Sequence, residues 1–438
     1  MTAPATSPDS VPPPEPASPL ALADFRLFWL MRLTAVTAST GMVVVLGYQL
    51  YDIARSAYGM TIAGASFQLG LLGLVQFAPM ALLSPIAGVV ADRFERRKVA
   101  ALALLLTTIM ALLLAWVSRA GLASLPVLFA LATLIGISRV FFGPATSAIP
   151  ANILPAALMP RAVAMSSIAW QLASVLGPAA GGLLYAGGAS VAYGAAAALQ
   201  VLSITALMAI RPVPPPAGNR EAHPWRQLVE GLTYVRDQRF LFGCISLDLF
   251  AVLLGGATAL IPVYARDILF VDGVAVGARG LGMMRAAPAL GAALVAAWMA
   301  VRPLSQGVGR KMLWSVAIFG LATVGFGLSR DYYLSLALLA LLGAADMVSV
   351  FIRSALIQLN TPDDKRGRVA AISGLAISAS NELGEMESGL LAAATGPTGA
   401  VVLGGLGALL VTLAWARLFP ELGRVRTFAS HYQEGQPA

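Results

Sequence analysis

Cysteine, histidine and charge are all scarce in this chain of 438 residues. A single cysteine, Cys244, rules out an intrachain disulfide. The two histidines, His223 and His431, fall in the central loop and the C-terminal tail, so no histidine relay can run through the apolar segments. Charged residues make up 11% and hydrophobic residues 58%, whereas a soluble domain carries roughly 25% charged residues. So few charges cannot cover a water-facing surface. H-E-x-x-H, G-x-x-x-x-G-K-[ST] and G-x-S-x-G are absent too. Without a P-loop there is no ATP-driven work by this chain alone, and neither a metal nor a cofactor is expected. The reading is not an enzyme.

What the sequence does have is apolar length. Runs of about 20 apolar residues recur, each enough to cross a hydrocarbon core of roughly 30 Å. The spans expected are 27–53, 68–91, 99–118, 124–146, 163–186, 189–210, 241–265, 278–300, 312–329, 332–353, 369–393 and 397–418. A β-barrel would show short alternating segments instead. The net charge of +8 sits in connections between spans. Odd-numbered connections hold little beyond Arg55, Arg119, Arg266, Arg279 and Arg330, while even-numbered ones hold clusters such as Arg93 to Lys98 and Lys365 to Arg368. That asymmetry predicts cytoplasmic termini and a cytoplasmic central loop, and it explains the basic balance without nucleic acid.

Residues 1–20 are rich in Pro and Ser and lack basic residues, so they read as a disordered cytoplasmic tail and not as a cleavable signal. The segment 211–240 opens with prolines and then places Trp225, Leu228, Val229, Leu232 and Val235 at helical spacing. An amphipathic helix along the cytoplasmic interface is expected there. The organisation is therefore a tail (1–20), a six-helix bundle (21–210), a linker (211–240), a second six-helix bundle (241–420) and a tail (421–438).

An internal repeat supports the division. At one offset Asp24 and Arg26 meet Asp237 and Arg239, and Arg97 and Lys98 meet Arg310 and Lys311. At a second, Pro155, Arg161, Gly177 and Gly182 meet Pro362, Arg368, Gly384 and Gly389. Gly88, Asp92, Arg93, Arg96 and Arg97 form a G-x-x-x-D-R-x-x-R-R turn between the second and third spans. It resembles the corresponding loop of major facilitator superfamily transporters. The resemblance implies an all-α polytopic fold of two pseudo-symmetric six-helix bundles, with substrate bound between them near mid-membrane. It also implies that Asp92 caps a helix terminus of the opposite half and gates access. The alternative is a topogenic basic turn with an incidental acid. The second half has Ser305 where the first has Asp92.

The fifth span carries Ala173, Gly177, Pro178, Gly181 and Gly182, similar to the signature of proton-coupled antiporters but with Ala173 for its first glycine. Close helix packing accounts for it equally well. Its repeat partner carries Asn381, Glu382, Glu385 and Glu387, and three acids in one span are costly in lipid. Glu382, Glu385 and Asn381 share a helical face, and Glu387 points elsewhere. Asp248 and Arg285 lie at similar depths on adjacent helices, so a pair between them is expected, either functional or a static buried bridge. Asp346 and Arg353 share a face seven residues apart, Arg139 occupies the position matching Asp346, and Arg32 near the end of the first span can snorkel.

Several stretches narrow the resemblance: Phe25 to Trp29 with Arg32, Arg139 to Ala145, Gly282 to Pro288, Arg366 to Ala370 and Asn381 to Glu385. Together they look like the enterobactin-exporter-like branch, also called the transmembrane secretion effectors, over nearly the whole chain beyond the N-terminal tail. That resemblance implies a monomeric, proton-coupled exporter in a bacterial inner membrane, moving a small molecule such as a siderophore or an amphipathic drug. Glu382, Glu385 and Asp248 are then the candidates for protons, and Arg32, Arg139, Arg285 and Asn381 for an anionic or phenolic substrate. An importer, a lipid or lysolipid translocator on the same fold, and a non-transporting scaffold are the alternatives.

Overall fold

The computed structural model describes residues 18–147, 149–155, 158–212, 224–302 and 304–428. Arg220, His223, His431 and the tail up to residue 17 lie outside the described residues, as do the side chains of Asp92, Trp225 and Leu228. Before residue 212 the chain forms α1 (Ala23–Ser56), α2 (Ile62–Arg93), α3 (Arg96–Arg119), α4 (Leu125–Ser147), the short α5 (Ile149–Ile153), α6 (Met159–Tyr185) and α7 (Ala189–Ala209). The second half of the chain begins with α8 (Pro224–Asp237) and α9 (Arg239–Leu254). A 3-10 turn, α10 (Ile261–Val263), a π turn and a hairpin of β1 (Phe270–Val271) and β2 (Val274–Ala275) follow. The rest is α11 (Gly277–Val301), α12 (Val308–Leu328), α13 (Tyr332–Leu359), α14 (Asp363–Leu418) and α15 (Pro420–Arg424).

These helices are apolar all round. On α3, Leu104, Ala111 and Leu114 are buried while Leu102, Leu112 and Trp116 are exposed. Water would not tolerate such a surface; lipid is the solvent that fits it. Among the described residues, eleven helices are long and apolar enough to cross a membrane. One of them, Arg368–Leu418, has 51 residues, about 77 Å if straight at roughly 1.5 Å per residue. That is more than two hydrocarbon thicknesses. Gly396, at φ 79° just before Pro397, breaks it, so this element supplies the eleventh and twelfth spans. Local caps set other ends: Thr61 accepts from Gly64 N–H at the start of α2, and Asp331 accepts from Leu334 N–H at the start of α13.

Expected and observed boundaries differ most at the seventh span. The sequence predicts one helix over 241–265, but α9 stops at Leu254 and the chain continues as a 3-10 turn from Ala257. Tandem glycines at 255 and 256 and Pro262 remove the local preference for a helix there.

Within the first half, α1 packs on α6 and α7, α2 on α4, and α3 on α4 and α7. Thr34 and Ser203 join α1 to α7 at 2.7 Å, and Thr107 and Ser138 join α3 to α4 at 2.6 Å. Without a hydrophobic drive inside lipid, such hydroxyl pairs and close packing hold spans together. In the second half α9 packs on α14, α11 on α13, and α12 on both α13 and α14. The two most extensive contacts between the halves are α2 with α14 and α6 with α11. The internal repeat maps each onto the other. Gly182 of α6 faces Gly282 of α11, where an added Cβ would lie 2.3 Å from the Gly282 Cα; its repeat partner Gly389 faces Gly70 at 2.4 Å. Only glycine lets backbones approach so closely.

Helix α8 forms as expected and docks on the start of α14. Arg368 pairs with Glu230 at 3.4 Å, and the Lys365 ammonium sits 4.7 Å from the Tyr234 ring centre. Val235 is buried, whereas Val229 and Leu232 remain exposed.

Candidate functional site between the two halves

The cross-half contacts are concentrated at one end of the bundle, where α1 finishes and α2 begins. There Arg55 pairs with Asp267 at 3.3 Å and Arg266 pairs with Asp52 at 3.1 Å. Tyr51 donates its hydroxyl to Asp267 at 2.5 Å, and Arg266 also donates to the Asp52 carbonyl at 3.0 Å. Each half thus contributes one acid and one base to a reciprocal lock. Sequence reasoning used Arg55 and Arg266 only to count loop charge. The available signal was the pairing of opposite charges at the matching ends of the first and seventh spans.

Deeper in the molecule the halves meet through a single ion pair among the described residues. Arg139 of α4 approaches Glu382 of α14 at 3.3 Å. The Arg139 side chain is 46% exposed although it lies within a span. A guanidinium so open at that depth, paired across the half boundary, faces a gap between the halves. Asn381 is exposed beside it. One turn on, Glu385 packs against α2: a Cβ added to Gly73 would meet the Glu385 Cβ at 2.9 Å and the Glu382 carbonyl at 3.0 Å. The shared face expected for Glu382 and Glu385 is therefore the face turned to the first half. Glu387 departs from that face, with its Oε2 buried and without a hydrogen-bond partner among the described residues.

The expected pair of Asp248 with Arg285 is not formed. Asp248 binds Arg353 of α13 at 2.8 Å, both nearly fully buried within the second half. Depth matched, but azimuth decides which helix face meets which, and Asp248 looks toward α13. Asp346 and Arg353 do share a face, since both line one small cavity with Asp248. Arg285 of α11 faces the charge of Glu385 without an ion pair, and its Nε has no hydrogen-bond partner, among the described residues. The Arg32 Nε is likewise buried without a hydrogen-bond partner among the described residues. Gln171 of α6 reaches the Met347 sulfur on α13 at 3.7 Å, adding a polar contact across the gap.

The basic turn behaves differently from a pure signature. Arg97 pairs with Glu95 at 3.3 Å and donates to the carbonyl of Ile210, which closes the end of α7. A cation at a helix C-terminus is favourable. Lys98 takes the second Glu95 oxygen at 2.9 Å, and Arg93 is exposed. Gly88 has open space where a Cβ would go. A cavity of about 390 Å³ lies away from these groups, against α9, α13 and α15 near Glu421 and Arg424.

Two parallel sets of spans meeting at α2–α14 and α6–α11, with an ion pair across a central gap, define a polytopic transporter fold. The profile of the Major Facilitator Superfamily matches residues 28–384, and the chain belongs to that family. Within it the chain is similar to the enterobactin exporters EntS of Shigella boydii serotype 18 and Escherichia coli strain SE11. Each is 29% identical over 403 residues, covering 90% of this chain and 87% of the relative. These relatives support an enterobactin-exporter-like branch. Among solved structures, a bacterial homologue of the human lysosomal transporter Spinster superposes with a TM-score of 0.67 at 16% identity, covering 91% of this chain and 98% of the other. A D-xylose–proton symporter gives 0.67 at 15% identity, covering 92% and 99%. Those likenesses concern the fold. The protein is a membrane transporter of the superfamily.

Proposed function

We propose that this transporter exports a small anionic or phenol-bearing molecule, such as a catecholate siderophore, or an amphipathic drug, in exchange for protons. The observation that carries the reading is the Arg139–Glu382 pair across the gap, with Glu385 one turn away against α2. A guanidinium suits an anionic or catecholate substrate, and the carboxylates beside it are groups that can take up and release a proton. Arg32, Arg285 and Asn381 supply further contacts to substrate. The similarity to enterobactin exporters supports the direction and the substrate class.

Alternating access follows from the two bundles, 21–210 and 241–420, rocking about this gap. The positive-inside pattern puts the termini, the linker and the basic turn in the cytoplasm of a bacterial cell and the Asp52–Arg266 lock outside. With that lock made, the state described is closed to the outside. Gly88, Asp92, Arg93, Arg96 and Arg97 form the cytoplasmic gating turn, and one chain is the transporting unit in the lipid bilayer.

The test is transport in proteoliposomes under an imposed pH gradient, with a panel of catecholate siderophores and amphipathic cations. Gradient-dependent movement of a panel member, lost in Glu385→Gln, is the expected result. If no panel member moves in response to the gradient, the exchange reading fails. Unchanged flux in the variant removes Glu385 from coupling.

A further inference from the structure

Within the second half, Asp248, Ala251 and Val252 of α9, Val316 and Phe319 of α12, and Asp346, Ser349 and Arg353 of α13 line a small cavity. Its volume is about 10 Å³, close to the lower limit for holding one water molecule. The charges around it do not balance. Arg353 is committed to Asp248 at 2.8 Å and to the Ser349 hydroxyl at 3.4 Å. Asp346 faces the same cavity with no hydrogen-bond or ion-pair partner among the described residues. Two carboxylates and one guanidinium leave one negative charge at a largely covered site within a span, which is costly unless something neutralises it.

A second feature has the same sign. Helix α9 stops at Leu254, less than one turn beyond the cavity-lining Val252, because the chain breaks at Gly255 and Gly256. The C-terminal end of a helix carries partial negative charge, and the broken ends of transmembrane helices are where small cations are held in other transporters. Few other charges face the site. Cys244 on α9 faces Arg353, α12 presents only Val316 and Phe319 to the cavity, and Arg285 on α11 faces Glu385 instead.

We propose that this cavity is a site for one monovalent cation, a proton or Na⁺, held by Asp346 and Asp248 with Arg353 as fixed counter-charge. Its lining residues are distinct from Arg139 and Glu382. Its occupancy is independent of the transport reading, and only its use in coupling rests on that reading. The repeat gives the site a history in the fold: Asp346 stands where the first half has Arg139, so the equivalent position is a substrate-facing cation in one half and a cation-binding acid in the other.

The experiment measures thermal unfolding of the purified full-length protein in detergent, with NaCl replaced stepwise by choline chloride at constant ionic strength, at several pH values. A bound cation raises the midpoint in proportion to its occupancy. Wild type and Glu385→Gln are expected to gain stability with Na⁺, or with falling pH if the ion is a proton. Asp346→Asn is expected to lose that gain and Asp346→Glu to keep it. Should Asp346→Asn fail to fold, Ala251→Leu, which fills the cavity without altering a charge, is expected to lose the same gain. The proposal is overturned if wild type responds to neither cation, or if Asp346→Asn or Ala251→Leu responds as wild type does. None of these readouts depends on flux, so a failure here and a failure of exchange transport remain distinguishable.

Discussion

Arg139 of α4 and Glu382 of α14 meet at 3.3 Å across the boundary between the two halves of the chain, the guanidinium half exposed and the carboxylate largely covered. An ion pair that open contributes roughly 0.2–1 kcal/mol to stability. That is too little to explain Glu382 as a structural element. Replacing Glu382 by Gln should therefore leave the unfolding midpoint within a few degrees of wild type while lowering gradient-driven flux by about tenfold or more, a loss of some 1.4 kcal/mol in the transition state. Parallel thermal unfolding and proteoliposome flux on the same preparation check this. A large stability loss with intact flux would make the pair structural.

The reciprocal lock of Asp52 with Arg266 and Arg55 with Asp267 should set how often the outer end opens. Its side chains are partly exposed, so each bridge contributes at most about 1 kcal/mol. The double variant Arg55→Ala/Arg266→Ala should populate the outward-open state about two- to tenfold more. Asn381 is exposed next to Glu382 and the native Cys244 is buried, which gives a clean probe. Asn381→Cys in a Cys244→Ser background should react with a membrane-impermeant maleimide from outside, faster by that factor once the lock is removed. An unchanged rate would mean that the lock does not hold the gate.

Much of this architecture was legible because membrane spans are written in composition. Apolar length fixed the spans, and the repeat anticipated that Gly182 and Gly389 are equivalent. The eleventh span's acids stood out because charge in lipid needs a reason. Azimuth was less accessible. Asp248 and Arg285 matched in depth, yet α9 turns Asp248 toward Arg353 on α13, and nothing in a single sequence fixes the rotation of one span against another. The break at Gly255 and Gly256 was missed for a related reason: hydropathy continues through it even though the helix does not. The outer lock was hidden in ordinary-looking loop charges, whose meaning depends on a partner more than 200 residues away.

Closure at the outer end also depends on bare backbone contact. A Cβ at Gly182 would fall 2.3 Å from the Gly282 Cα, but at Gly88 in the basic turn it would meet nothing within 4 Å. Gly182→Val should therefore prevent the described closure and abolish transport. Gly88→Ala should be accommodated in this state with normal expression and an unchanged melting temperature. Flux together with outside labelling of Asn381→Cys separates the two: Gly182→Val should label faster and Gly88→Ala as wild type. If Gly88→Ala expresses normally but loses flux, the motif glycine is needed in the opposite access state.

The buried Asp248–Arg353 bridge invites the opposite energetic reasoning from the Arg139–Glu382 pair. Here the side chains are only 8% and 4% exposed, so removing one partner strands the other in a medium that cannot solvate it. Arg353→Met should destabilise the protein by about 3–5 kcal/mol, seen as a large drop in the unfolding midpoint. Replacing both, as Asp248→Leu/Arg353→Met, should recover most of that loss, because a buried pair is often no more stable than apolar residues of similar volume. Transport should not recover with it if Asp248 takes part in holding the coupled ion. A double variant that regains both midpoint and gradient-driven flux would assign the bridge to packing alone. One that regains only the midpoint would separate what Asp248 does for the fold from what it does for transport.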